Sequence, residues 1–159
     1  SLILIGFSGG FRRSELVSIA KDDVEFVKEG VKIFVKKSKS DQSGEGMIKA
    51  IPSFTRLEYC PVDHLRKWLQ VNKNNLLFPI SDKNVALIIK KHALNAGLDD
   101  KSYAGHSLRS GFATSTAEVG ASERNIMAMT GHKSVEMVRR YIKEADLFKN
   151  NALNKISNE

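Results

Sequence analysis

Val24-Glu25-Phe26-Val27-Lys28-Glu29-Gly30-Val31-Lys32-Ile33-Phe34-Val35 is the stretch on which the fold class turns. β-Branched and aromatic residues fill both halves, and Lys28-Glu29-Gly30 between them has the composition of a tight hairpin, so two antiparallel strands are predicted. A polar segment, Lys36 to Gly46, carries Gly44 and Gly46 and leads to a third short strand, Met47 to Ile51, stopped by Pro52. Upstream, Arg12 to Ile19 fits a short helix after the Gly9-Gly10 bend, with Leu16 and Ile19 on one side and Asp22-Asp23 closing it. Downstream the period becomes helical. Pro61 suits a first turn, and Val62, Leu65, Trp68 and Leu69 recur at helical spacing. Asp82 is the expected cap of a helix carrying Val85, Ile88, Ile89 and Ala93, which Gly97 ends. Three more helices are predicted: Ser107 to Val119, Ser122 to about Thr130, and one capped by Ser134 and running through Ile142. The expected class is α+β, a mainly helical domain around a small three-stranded antiparallel sheet.

The 159 residues, 42% apolar and 27% charged, suit one domain able to bury a core. Twenty-five Lys and Arg against eighteen Asp and Glu give a formal charge of +7. That excess points to an acidic partner, nucleic acid first and an anionic membrane surface second. The apolar opening, Leu2 to Phe7, is too short to span a bilayer and lacks a basic flank or cleavage site, so neither a membrane-spanning protein nor a secretory precursor is expected. The single cysteine, Cys60, excludes a disulfide framework and a cysteine-rich zinc site, and suits a reducing, cytoplasmic setting. Ser1 leads straight into Leu2-Ile3-Leu4-Ile5 with no capping residue, as expected of a domain cut from a longer protein. The polar tail from Asp146 to Glu159 keeps Leu147, Phe148, Leu153 and Ile156, apolar enough to dock on its own domain or on a neighbour.

Four clusters and one aromatic place cations or proton carriers beside turns or helix starts. They are Gly10-Phe11-Arg12-Arg13-Ser14-Glu15-Leu16, Lys36-Lys37-Ser38-Lys39, Gly105-His106-Ser107-Leu108-Arg109, Thr130-Gly131-His132, and Tyr141. Each alone has a plain structural explanation: a solvated arginine pair, a lysine-rich surface loop, a satisfied helix start, a turn histidine, a core aromatic with its hydroxyl at the rim. Their spacing adds to this. His106 and Arg109 stand at i and i+3, on one helix face, with Leu108 and Phe112 expected to anchor the other. In the last helix Val135, Val138 and Ile142 form the apolar stripe, and Tyr141 lies at its edge with Met137 one turn before it.

The ordered set resembles the catalytic domain of tyrosine recombinases, the phage-integrase family, almost end to end. The matching pieces are Arg12-Arg13-Ser14-Glu15-Leu16, Ser38-Lys39-Ser40-Asp41-Gln42, His106-Ser107-Leu108-Arg109, Gly131-His132, and Tyr141 nine residues after that histidine. The resemblance implies a catalytic domain over residues 1–145 and a tail over 146–159 that packs either on its own domain or, as often in the family, on a neighbouring protomer. It also implies an N-terminal DNA-clamping domain outside this sequence.

The implied chemistry is attack by Tyr141 on a DNA phosphate, giving a 3′-phosphotyrosyl link and a free 5′-hydroxyl, reversed by a second strand's 5′-hydroxyl. At pH 7 only about one tyrosine in a thousand is phenolate, a deficit of about 4 kcal/mol that a base and a positive field must offset. The resemblance makes His106 the proton acceptor, Arg12 and Arg109 the clamps on the non-bridging oxygens, and His132 a further donor. It makes Lys39 the acid that protonates the leaving 5′-oxygen. Glu15, one turn from Arg12, is expected to orient and partly neutralise the cations. Neither a metal nor a cofactor is implied, since the phosphotyrosine conserves the phosphodiester energy. Arg13, Lys36, Lys37, Lys90 and Lys91 are candidate phosphate contacts, each with a solvated face as its alternative. The expected partners are double-stranded DNA and further copies of the chain, as a tetramer on DNA. Two other functions share parts of the pattern: a type IB topoisomerase-like relaxing enzyme, and a DNA-binding module without catalysis.

Overall fold

The computed structural model describes residues 1–36, 46–132 and 134–146. Within them the chain forms α1 (Leu2–Ser8), α2 (Arg13–Ser18), β1 (Val24–Val27), β2 (Gly30–Val35) and β3 (Met47–Pro52). Five helices follow: α3 (Pro61–Val71), α4 (Asp82–Asn95), α5 (Ser107–Glu118), α6 (Glu123–Thr130) and α7 (Val135–Asp146). The α+β class expected from the sequence is the observed one. Lys37, Lys39 and the apolar residues of the tail, Leu147, Phe148, Leu153 and Ile156, lie outside the described residues. No helix among the described residues is long and apolar enough to cross a membrane.

The sheet has the order β1-β2-β3 and is antiparallel throughout. Val27 pairs with Gly30, so the turn is Lys28-Glu29 and Gly30 already belongs to the strand. In β2 the period-2 pattern is strict: Val31, Ile33 and Val35 are buried while Lys32 and Phe34 face outward. β3 pairs Val31 with Ile51 and Ile33 with Lys49. That register turns Ile51 and Lys49 inward and leaves Ile48 63% exposed. Pro52 ends β3 on the sheet edge, where its missing N–H costs no ladder bond.

One apolar cluster joins Ile5, Phe11, Leu16 and Ile19 to the inward sheet residues, to Val62 and Leu65 of α3, and to Val85 and Ile89 of α4. A second, smaller cluster holds α5, α6 and α7 together through Ala113, Ala117, Ile126 and Val138. Helix ends follow capping chemistry. Ser122 accepts a hydrogen bond from the backbone N–H of Asn125, and Pro61 opens α3. At α4 the cap is Ser81, accepting from Asn84 N–H, rather than the expected Asp82. Asp82 becomes the first helical residue, where its carboxylate meets the positive end of the helix.

Candidate active site

Two chain reversals and two helix starts bring distant residues to one place. Gly10, at φ +54, and Gly131, at φ +64, take left-handed conformations that favour glycine. The first turns the chain into Arg12 at the start of α2, and the second ends α6 and delivers His132. A cleft of about 310 Å³ is lined by Arg12, His106, Arg109, Ser110, His132, Ser134, Met137 and Tyr141. Two guanidiniums, two imidazoles and one phenol thus share a cleft whose lining, among the described residues, contains no carboxylate.

Arg12 precedes the first helical residue of α2, and Glu15 reaches back to it. The Glu15 carboxylate accepts from the Arg12 backbone N–H at 2.9 Å and from its Nη1 at 2.6 Å. Glu15 itself is 2% exposed. A fully buried carboxylate therefore fixes the direction of a partly exposed guanidinium, which limits the rotamers Arg12 must give up on binding an anion.

Leu108 anchors α5 as expected, and His106 and Arg109 both line the cleft, but they differ in exposure. His106 is the exposed residue that precedes α5, whereas Arg109 is 4% exposed. The difference has a physical cause: two carbonyls left over at chain reversals receive the guanidinium. Arg109 Nη1 donates to Gly10 O at 3.0 Å and to Thr130 O at the C-terminal end of α6. Its Nη2 is buried and has no acceptor among the described residues. Burial, then the charge of Arg12, pulls its pKa down to about 10, which leaves it a cation at neutral pH.

His132 follows Gly131, and its Nδ1 lies 2.9 Å from the Thr130 hydroxyl. That hydroxyl donates its one proton to Ile126 O at 2.7 Å, so both bonds are satisfied only when His132 Nδ1 carries the hydrogen. Burial, with the charges of Arg109, Arg12 and Lys49 behind it, pushes the imidazole pKa down to about 4. At pH 7 the ring is neutral with a bare Nε2, so the further donation expected of His132 requires a proton taken up together with an anion. An NMR titration of the protein alone should place His132 near pH 4 in the Nδ1–H tautomer. A midpoint near the free value of about 6.5 would show that neither burial nor the cations act on it.

Tyr141 is half-buried on α7, its ring centroid 6.2 Å from that of His132 at 33°. The structure therefore gathers Arg12, His106, Arg109, His132 and Tyr141. Of the other candidates within the described residues, Arg13, Glu15, Lys36, Lys90 and Lys91 do not line the cleft, and Lys37 and Lys39 lie outside those residues. Arg13 pairs with Asp82 at 3.4 Å, Lys36 pairs with Asp23 at 2.8 Å, and Lys90 and Lys91 ride on α4. No cluster of three or more His, Cys, Asp or Glu able to hold a metal ion occurs among the described residues.

Sequence reasoning passed over Lys49. This lysine is completely buried, donates to Gly9 O at 2.7 Å and lies 3.7 Å from Glu15. Its signal was the alternation Met47, Lys49, Ile51, which places it on the inward face of β3.

The sequence profile of the phage integrase family matches residues 1–147. The chain belongs to the phage integrase family. An integrase/recombinase xerD homolog of Selenomonas ruminantium is 47% identical over 173 residues, taking in 100% of this chain and 51% of that protein. Tyrosine recombinase XerC of Caldanaerobacter subterraneus subsp. tengcongensis is 30% identical over 156 residues, covering 98% of the chain and 44% of the relative. The chain thus spans about half the length of these curated relatives. Among solved structures, XerA recombinase aligns at a TM-score of 0.72 with 24% identity, over 92% of this chain and 55% of its own. XerH site-specific recombinase, bound to a palindromic difH substrate in a post-cleavage complex, aligns at 0.68 with 22% identity, over 94% and 45%. These likenesses establish the phage integrase catalytic fold for the chain.

Proposed function

We propose that this phage integrase family chain is the catalytic part of a site-specific DNA recombinase or integrase, cleaving and rejoining DNA through a 3′-phosphotyrosyl intermediate. The observation that carries this is the cleft itself, in which one phenol faces two arginines and two histidines with no carboxylate in the lining among the described residues. A phosphodiester gains negative charge at its non-bridging oxygens as a nucleophile adds, and such a lining stabilises that charge. Arg109, with one guanidinium nitrogen lacking an acceptor among the described residues, has a charge-assisted donor left for such an oxygen.

In the proposed reaction the Tyr141 oxygen bonds to phosphorus as its proton passes to His106 at the cleft's lip. The bond from phosphorus to the 5′-oxygen breaks, and Lys39 supplies the proton that oxygen needs. Arg12 and Arg109 hold the non-bridging oxygens, and His132 joins them once protonated. Attack by another strand's 5′-hydroxyl reverses each bond change. Double-stranded DNA is the substrate, and assembly of copies of the chain, as a tetramer, brings two duplexes together. Arg13, Lys36, Lys37, Lys90 and Lys91 supply phosphate contacts outside the cleft.

The test is incubation with a pool of nicked duplexes of randomised core sequence, capture of protein-linked DNA under denaturing conditions, and mapping of the attached peptide. A Tyr141 peptide on a 3′-phosphate is expected. Retarded duplex without covalent product would indicate a binding module, and plasmid relaxation without exchange between two sites would indicate a topoisomerase-like enzyme. Lys39→Ala should slow cleavage by about 100-fold or more, and a 5′-bridging phosphorothioate, whose sulfur leaves without a proton, should restore it. Absence of rescue would make Lys39 a DNA contact instead.

A further inference from the structure

We infer that Lys49 is a positioning residue for this reaction, its buried ammonium fixing the two arginines of the cleft relative to each other through Glu15 and the Gly9–Gly10 carbonyls. The inference rests on the strand-transfer reading above.

A completely buried ammonium needs a reason. Desolvating it costs several kcal/mol, and a methionine or leucine would fill an inward position of β3 between Met47 and Ile51 without that cost. The side chain's contacts show what the charge does. Lys49 Nζ donates to Gly9 O at 2.7 Å and Gly10 O at 3.3 Å, stands 3.7 Å from Glu15 Oε2, and lies 4.4 Å from the centroid of the Phe11 ring. Each acceptor leads to a different arginine. Glu15 holds Arg12 by its backbone N–H and its Nη1, while Gly10 O accepts from Arg109 Nη1 at 3.0 Å. One ammonium therefore joins two guanidiniums that stand 97 positions apart in sequence. It also ties β3, which follows the segment bearing Lys39, to the bend that sets Arg12.

The electrostatics agree with the geometry. Burial pulls Lys49 down to about 8 against the opposing pull of Glu15, so the ammonium predominates at pH 7. Its charge is also among those that keep His132 neutral.

The test compares wild type, Lys49→Met and Lys49→Arg on a duplex recovered by covalent capture. Lys49→Met should cut single-turnover cleavage at saturating duplex by about 100-fold, the scale of a small misplacement of reacting groups. Half-saturation should stay within about threefold, because DNA binding is carried by other cations. The His132 titration midpoint should rise in Lys49→Met, whereas Lys49→Arg should keep it and recover cleavage to within about tenfold of wild type. A Lys49→Met protein of native circular dichroism that cleaves within about threefold of wild type overturns the inference. So does a folded Lys49→Arg protein as slow as a folded Lys49→Met. Should Lys49→Met fail to fold, a folded Lys49→Arg protein slowed by about 100-fold likewise overturns it. Wild type that forms no covalent product would instead sink the strand-transfer reading. In that case an unchanged His132 midpoint in folded Lys49→Met overturns the role of Lys49 by itself.

Discussion

Tyr141→Phe should leave no detectable covalent protein–DNA product while binding duplex within about threefold of wild type, because phosphate contacts by cations dominate affinity. The substitution removes one oxygen from a half-buried ring at the edge of the α5–α6–α7 cluster and leaves its packing against that cluster in place. No other hydroxyl of the same chemistry is poised to replace it. Tyr59 is 52% exposed beside Arg56 and Tyr103 packs against the main core, and neither lines the cleft. Denaturing electrophoresis with labelled duplex measures both arms. Covalent product that survives in Tyr141→Phe would move the nucleophile elsewhere.

Arg109 is expected to show the second large effect, and two variants separate its two roles. Arg109→Met leaves Thr130 O without its buried donor and Gly10 O with only the 3.3 Å bond from Lys49, at about 1–3 kcal/mol for the unsatisfied carbonyl and about as much for the charged bond lost at the other. With about 3 kcal/mol lost in total, a chain of this size should melt roughly 6–12 °C lower. Arg109→Lys keeps a positive charge and can satisfy one carbonyl, so its melting point should fall less. A lysine cannot hold two carbonyls and still offer a planar fork to a phosphate. Cleavage by folded Arg109→Lys should therefore be slower by at least about 100-fold, the scale of losing a preorganised donor at a developing charge. Wild-type cleavage by that variant would show that Arg109 is purely structural.

The hairpin and the third strand were legible as β-branched and aromatic runs bounded by turn residues, and the helices by their apolar spacing. Val31, Ile33 and Val35 alternate without exception, and Val62 and Leu65 mark the buried side of α3. Two features of the site were not legible, for one shared reason. Lys49 and Arg109 look like surface cations by residue type, yet both are buried where carbonyls are left over at chain reversals. Hydropathy cannot show such carbonyls, since they appear only when Gly9, Gly10 and Thr130 come together from distant parts of the chain. The exposed Ile48 beside the buried Lys49 makes the same point: register, set by Met47 and Ile51, overrode side-chain preference. Likewise the tautomer of His132 depends on where Thr130 sends its proton, which spacing alone does not disclose.

The second apolar cluster has its own consequence. Among the described residues its buried members are two alanines, one isoleucine and one valine, and α7 packs chiefly on α5 and α6. So small a set of apolar side chains holds the tyrosine-bearing helix far less firmly than the main cluster holds the sheet. Local opening of α7 should therefore require much less free energy than global unfolding, and its amides should exchange with solvent well before those of β2. Tyr141 would then ride on a more readily detached helix than α2, which Arg12 precedes and which carries Leu16 of the main cluster.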